Sequence, residues 1–262
     1  MNNHSKKPIV LSISGHDPTG GAGIQADTEV FNHYHCHPCS ILTCLTVQDS
    51  RTVHRLISLN ADNIIEQANV LFADMPIAAI KIGLTGSIDC VEAIETVLLQ
   101  HPNIPVIFDP VLASGNGTAL ADDQLISAIK NKLIPLTTVI TPNTLEAYKL
   151  TGLPITSSIE SLGFSLLELG PSYALITGGH IAGEHINNRL FHKNKLIASH
   201  QWPRRPGEFH GTGCTLASAI TALIAKNTDI LSAVTQAQEY TNHCIQHAEQ
   251  LGRGQRFPCR IK

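Results

Sequence analysis

Charge and aromatic rings are both scarce in this 262-residue chain: 15% of its residues are charged and 5% are Phe, Trp or Tyr. With 18 Lys and Arg against 21 Asp and Glu, the formal net charge is −3. No basic stripe interleaved with aromatics appears, so neither the backbone of a nucleic acid nor an anionic membrane surface is an expected partner. Long apolar runs are missing too. The first such run, Ile9 to Ile13, is too short for a signal peptide or a membrane span. The seven cysteines are odd in number and irregularly spaced, which reads as reduced thiols in the cytoplasm. No stretch rich in Pro, Gly or Ser divides the chain, and there is no low-complexity tract or fixed-period repeat; one domain over residues 1–262 is expected. Two nucleotide signatures are absent as well: the Gly-x-x-x-x-Gly-Lys-Ser/Thr loop and the dinucleotide fingerprint.

What is present is a 43% hydrophobic chain, ample for a compact core. Short apolar runs at 9–14, 40–48, 78–84, 105–111, 137–141 and 173–177 read as strands. Amphipathic stretches at 26–34, 62–74, 89–101, 122–133, 143–151 and 159–169 read as helices between them. A hairpin-like pair, NRLFHKNKLIASHQW, follows, and helices over 215–226 and 231–250 close the chain. Nearly continuous apolar strands alternating with helices predict an α/β fold: a mostly parallel sheet covered on both faces.

Polar and glycine-rich segments follow each strand: SGHDPTGGAGIQAD after the first, Gln48-Asp49 after the second, Gly83 after the third, Asp109-Pro110 near the end of the fourth, TPNTLE after the fifth and TGGH after the sixth. Ligands of open parallel sheets bind at the carboxyl ends of the strands, so these groups are expected to share one rim and to form a small-molecule site.

Four segments have both a structural and a functional reading. The glycines of GHDPTGGAGIQAD permit positive φ and close ligand approach, and Asp27 opens the next helix, where the dipole favours a carboxylate. In TPNTLEAYKL, Asn143 and Glu146 have capping-box spacing, while Glu146 and Asp109 on one rim suit a hydrated magnesium ion; the two roles are compatible. HYHCHPC (33–39) has zinc-type side chains but no second paired motif to close a site, and its cysteines suit packing. In HGTGC, two glycines precede a helix whose first N–H groups make an anion site, and the same field is expected to lower the Cys214 thiol pKa.

In this order, SGHDPTGGAGIQAD, LTVQD, KIGLTGS, FDPVLASGNG, TPNTLEA, TGGH and HGTGCTLASA resemble the phosphomethylpyrimidine kinases of thiamine biosynthesis, members of the ribokinase-like superfamily. The likeness runs from Ile9 to the C-terminal GRGQRFP. It implies a three-layer sandwich and an ATP- and magnesium-dependent kinase of hydroxymethylpyrimidine and its monophosphate. Pyridoxal kinases share the fold and are the nearest alternative; a non-catalytic pyrimidine-binding relative is another. The resemblance makes Cys214 the catalytic group and Gly211, Thr212 and Gly213 the anion hole. Gln48 pairs with the pyrimidine edge, and Gly15, Asp27, Leu84 and Val111 complete that pocket. Asp109 and Glu146 organise magnesium; Asn143, Thr177 and Gly178 lie toward the nucleotide, and 113–117 forms a flap. Three positions depart from the family pattern: Thr177 replaces a lysine, Leu84 a methionine, and Phe209 a hydroxyl residue. Arg253 is a candidate to restore the charge lost at 177. Relatives of this fold are often dimeric, which implies a homodimer.

Overall fold

The structure, a computed structural model, describes residues 7–115 and 117–261. Residues 1–6, Asn116 and Lys262 lie outside the description, and with them the start of the N-terminal stretch and one residue of the 113–117 flap. The strands are β1 (Ile9–His16), β2 (His37–Gln48), β3 (Val53–Ser58), β4 (Ile77–Ile82), β5 (Val106–Phe108), β6 (Val139–Ile140), β7 (Tyr173–Ile176), β8 (His185–His192) and β9 (Lys195–Pro203). The helices are α1 (Gly23–His33), α2 (Ala61–Asp74), α3 (Ile88–Gln100), α4 (Asp123–Ala128), α5 (Thr144–Thr151), α6 (Ile159–Glu168), α7 (Thr212–Ala225) and α8 (Ile230–Gln246).

The strands form one sheet in the order β3-β2-β1-β4-β5-β6-β7-β8-β9. Pairing is parallel from β2 through β7 and antiparallel at both margins, where β3, β8 and β9 join. Side-chain alternation assigns the layers. Leu11, Ile13, Ile80, Ile82 and Phe108 point to the face covered by α2 through α6. Val10, Ala79 and Ile107 point to the face covered by α1, α7 and α8. Burying each large aliphatic side chain here contributes about 1.5–3 kcal/mol. This is the three-layer α/β sandwich expected from the strand and helix pattern.

Several boundaries differ from expectation for local reasons. The strand expected over 105–111 stops at Phe108, because Pro110 has no N–H to offer a ladder. The helix expected over 122–133 becomes a π-turn at Ile129–Leu133 and a 3-10 turn at Ile134–Leu136, which contains Pro135. The last helix ends at Gln246 rather than 250, since Glu249 instead exchanges backbone hydrogen bonds with Phe257. Strand β3 was not expected; it forms because it pairs antiparallel with the second half of β2. The β8–β9 hairpin turns on Lys193 (φ 47°) and Asn194 (φ 54°), two left-handed residues whose twist matches that of the strands.

From β1 the chain runs outward to β2 and β3, then returns across β1 to β4. That reversal opens a crevice at the carboxyl ends of β1 and β4, where Gly15-His16-Asp17 and Gly83-Leu84 emerge.

Candidate active site

A cleft of about 600 Å³ lies over these strand ends, within the size range of small-molecule sites. Gly15, Gln48, Leu84, Asp109, Val111, Asn143, Glu146, Thr177 and the whole turn Gly211–Cys214 line it. These residues come from seven separate chain segments, and the parallel sheet brings them to one edge.

The anion site is built by backbone. Gly211 adopts φ 83° as N-cap of α7, and a Cβ there would collide with the Gly21 carbonyl. Glycine is therefore required on two counts. Helix α1 begins at Gly23, also left-handed at φ 60°, and the Gly23 N–H donates to the Cys214 sulfur. Two helix N-termini thus converge where Cys214 meets the cleft, a favourable field for an anion.

Beneath this turn, Arg260 acts as a clamp. Its guanidinium donates to the Thr215 hydroxyl at 2.8 Å, to Glu29 at 3.1 Å and to the Gly21 carbonyl. It ties the two glycine turns together from the C-terminal tail. Arg260→Met is expected to lower stability by about 1–3 kcal/mol, the cost of leaving buried acceptors unpaired, and to raise the Michaelis constant for the ligand that occupies the anion turn. A melting curve paired with initial rates checks both; an unchanged melting midpoint and an unchanged Michaelis constant would show that the clamp is idle.

Asp27 corrects the expectation from the family pattern. It is the fifth residue of α1, not a helix-opening residue, and lies fully buried below the cleft rather than in its wall. Its Oδ2 accepts from Lys81 Nζ at 2.9 Å and Ser12 Oγ at 2.6 Å, and its Oδ1 from Ser218 Oγ at 2.7 Å. Lys81 and Ser12 sit on the α1/α7 face of adjacent strands, which is why they meet this helix. Burial pushes the Lys81 ammonium down, but Asp27, Cys214 and Asp109 attract it more strongly, so its pKa rises above the ordinary lysine value. Close by, the Ser14 hydroxyl is buried at the cleft wall without a hydrogen-bond partner. A Cβ at Gly83 would fall on that hydroxyl and within 2.6 Å of Lys81 Nζ.

The Cys214 thiol is the second correction. Its pKa is pushed up to about 12, not lowered. Desolvation dominates; Lys81 and the Gly23 N–H pull the value down, while the charges of Asp27 and Asp109 add to the rise. In the free protein it is a thiol hydrogen-bonded to Asp109. Burial raises Asp109 itself to about 6 against the pull of Lys81, and raises Glu146 to about 8 with Asp109 adding like-charge repulsion.

Glu146 forms the expected capping box: its N–H donates to Asn143 Oδ1 at 3.0 Å, and the Asn143 N–H donates to Glu146 Oε2 at 2.8 Å. The other carboxylate oxygen accepts from the Leu112 N–H at 3.4 Å. Gly178 is not in the wall. Its N–H donates to Asn188 Oδ1 at 3.0 Å, and the Asn187 carbonyl fills the place of a Cβ. Asn188 continues to Gln238, which also accepts from Trp202 Nε1 at 3.1 Å. Arg253 is not in the wall: it is exposed, and its carbonyl accepts from Arg51. The arginines in the wall are instead Arg204 and Arg205, and Arg205 Nε is buried without a partner. In the 33–39 segment, His33 packs on Tyr240, Cys36 faces the Ala222 carbonyl and Cys39 lies against Met75. Among the described residues no group of three or more His, Cys, Asp or Glu converges as a metal site.

The sequence reasoning did not find Asp17, Lys81, His210, Arg205 or Arg260. Lys81 reads as one polar residue in an apolar strand, the only local signal among them.

A ribokinase-like sandwich with an anion turn and a small-molecule cleft at its strand ends defines a phosphotransferase of the vitamin-kinase type. The family described as phosphomethylpyrimidine kinase matches residues 17–259, and the chain belongs to that family. A hydroxymethylpyrimidine/phosphomethylpyrimidine kinase of Staphylococcus aureus (strain Mu50) is 33% identical over 253 residues, 95% of this chain and 92% of that one. The crystal structure of phosphomethylpyrimidine kinase from Clostridium difficile 630 superposes with a TM-score of 0.80 at 33% identity, covering 91% of this chain and 100% of that one. An ADP complex of Bacillus subtilis pyridoxal kinase superposes with a TM-score of 0.84 at 26% identity, covering 96% and 97%. Among the described residues no helix is long and apolar enough to cross a membrane.

Proposed function

We propose that the chain transfers the terminal phosphoryl group of ATP to the hydroxymethyl oxygen of 4-amino-5-hydroxymethyl-2-methylpyrimidine, and then to the resulting monophosphate, in thiamine biosynthesis. The reading takes the chain as one catalytic domain that works in the cytoplasm as a homodimer. One observation carries the substrate assignment: Gln48, an amide able to meet a pyrimidine edge, and Cys214, at the head of an anion-binding helix, line one cleft. The relatives' names support it, and the bound ADP of the pyridoxal kinase supports a nucleotide donor.

Phosphoryl transfer asks mainly for alignment and charge neutralisation. The N–H groups of Gly211–Gly213 receive the moving phosphoryl oxygens. Cys214 holds the substrate hydroxyl; as the new O–P bond forms and the bond from the terminal phosphorus to ADP breaks, the hydroxyl proton passes to sulfur while the thiol proton passes to Asp109. Little prior deprotonation is needed, because the transition state is loose. Arg205, its Nε unpaired, faces the cleft as a counter-charge for a polyphosphate.

Asp109 and Glu146 fit a magnesium ion. They are hard oxygen donors, both buried, and each is pushed toward protonation, mainly by burial and then by the other carboxylates nearby. Magnesium retains several waters and needs only one or two carboxylates. When bound, it supplies positive charge against the phosphate oxygens.

The test is incubation with ATP, magnesium and hydroxymethylpyrimidine, with mono- and diphosphate followed by mass, and pyridoxal in a parallel tube. Sequential appearance of both pyrimidine phosphates is expected. Turnover of pyridoxal with none of the pyrimidine would move the assignment to vitamin B6; tight pyrimidine binding without turnover would make the chain a binding protein.

A further inference from the structure

Three side chains in the cleft cannot all be matched as donor and acceptor in the arrangement they adopt. Asp17 Oδ2 lies 2.7 Å from His210 Nε2, and the same nitrogen lies 3.2 Å from Gln48 Nε2. Asp17 is committed as an acceptor. Its Oδ1 takes the Thr19 N–H and hydroxyl, both at 2.8 Å, and its Oδ2 also takes the Ala22 N–H at 2.8 Å. Burial pushes this carboxyl toward protonation, but the His210 and Thr19 hydrogen bonds overcome that and hold it below the ordinary aspartate range. A carboxylate has no hydrogen to give. The hydrogen between Asp17 and His210 therefore sits on His210 Nε2, whether the ring is neutral or charged.

That hydrogen decides the neighbouring amide. With Nε2–H on the histidine, an amino group of Gln48 at 3.2 Å sets donor against donor. Rotating the amide by half a turn brings its oxygen to that position, where it takes the longer arm of a three-centre bond from the Nε2–H that Asp17 already accepts; no other bond is lost, since among the described residues the Gln48 amide has no other hydrogen bond. The geometry points to His210, fixed by Asp17, as the residue that sets ligand polarity in this cleft: it turns the Gln48 carbonyl toward itself and the amino group toward the ligand. The cleft then demands a hydrogen-bond acceptor, such as an unprotonated ring nitrogen, opposite Gln48. The second lone pair of the amide oxygen stays available for an adjacent exocyclic donor. His210 and Asp17 are thus positioning residues acting through Gln48. His210 precedes the anion turn directly, so one short segment serves both the ring and the phosphoryl group.

The ligand half of this inference rests on the pyrimidine reading above; the orientation of Gln48 does not. The experiment has two arms. In the first, long-range proton–nitrogen correlation spectra of the 15N-histidine-labelled full-length protein, without ligand, report which ring nitrogen of His210 carries hydrogen, with His210→Ala identifying the signal. Protonated Nε2 is expected; a bare Nε2 overturns the inference. In the second, Michaelis constants are compared for hydroxymethylpyrimidine and an analogue in which the ring nitrogen beside the amino group is C–H. The wild type is expected to disfavour the analogue by about tenfold or more, because its oriented donor is left unpaired, and His210→Ala to narrow the gap to about threefold or less. An undiminished gap in a folded His210→Ala overturns the inference. Should the wild type accept neither compound, the pyrimidine reading falls, while the first arm still decides how Gln48 is held.

Discussion

Cys214→Ala is expected to lower kcat by about 10²–10⁴-fold, the range for a lost proton-transfer group. The fold should survive, with the melting midpoint shifted by no more than about 4 °C, because the side chain lies at the cleft and only a sulfur is removed. The raised thiol pKa makes a second, independent outcome. A thiol whose value is pushed up to about 12 carries almost no thiolate near neutral pH, so the free enzyme should be alkylated at Cys214 more slowly than at half-exposed Cys259. The Cys214 rate should keep climbing with pH well past the ordinary thiol value of about 8.5. Site-resolved mass spectrometry of iodoacetamide-treated protein reads both rates. Faster labelling at Cys214 near neutrality would mean a thiolate at rest, and the proton relay through Asp109 would be wrong.

The largest effect on stability is expected at Lys81. Both it and Asp27 are wholly buried in their ion pair. Removing one member strands the other charge, so Lys81→Met should destabilise by about 3–5 kcal/mol. The double variant Asp27→Asn/Lys81→Met should recover much of that loss, because no naked charge is left and Asn can still bond Ser12 and Ser218. Urea denaturation of the two singles and the double gives the coupling energy; equal losses in Lys81→Met and in the double would dissolve the pairing. The pH dependence has a definite sign. The folded lysine pKa is raised, so the contribution of the pair is complete below the unfolded value of about 10.4 and fades as pH climbs from there toward the folded one.

Both predictions concern groups that local sequence describes poorly. Cys214 announces itself through HGTGC, and the helix that follows is where the pattern places it. Its acidity is not legible there, because the helix dipole is local, whereas the desolvation and the Asp27 and Asp109 charges come from other strands and helices. Asp27 was drawn into the substrate pocket by its place in a motif. Only the alternation of β1 and β4, which turns Ser12 and Lys81 to one face, shows that it belongs to the core.

The sequence by itself determined the alternation of strands and helices, the parallel order that sends the loops following those strands to one rim, the glycine turns, the Asn143–Glu146 capping box and the placement of Cys214 at a helix head. Each of these depends on periodicity or on neighbours a few residues apart. Tertiary structure decided the partners: Lys81 with Asp27 across 54 positions, His210 with Asp17 across 193, Arg260 with Gly21 across 239. Such pairings carry no local signal, because a charged or polar side chain reads the same in sequence whether water or a distant residue satisfies it, and only the packed layers exclude the water.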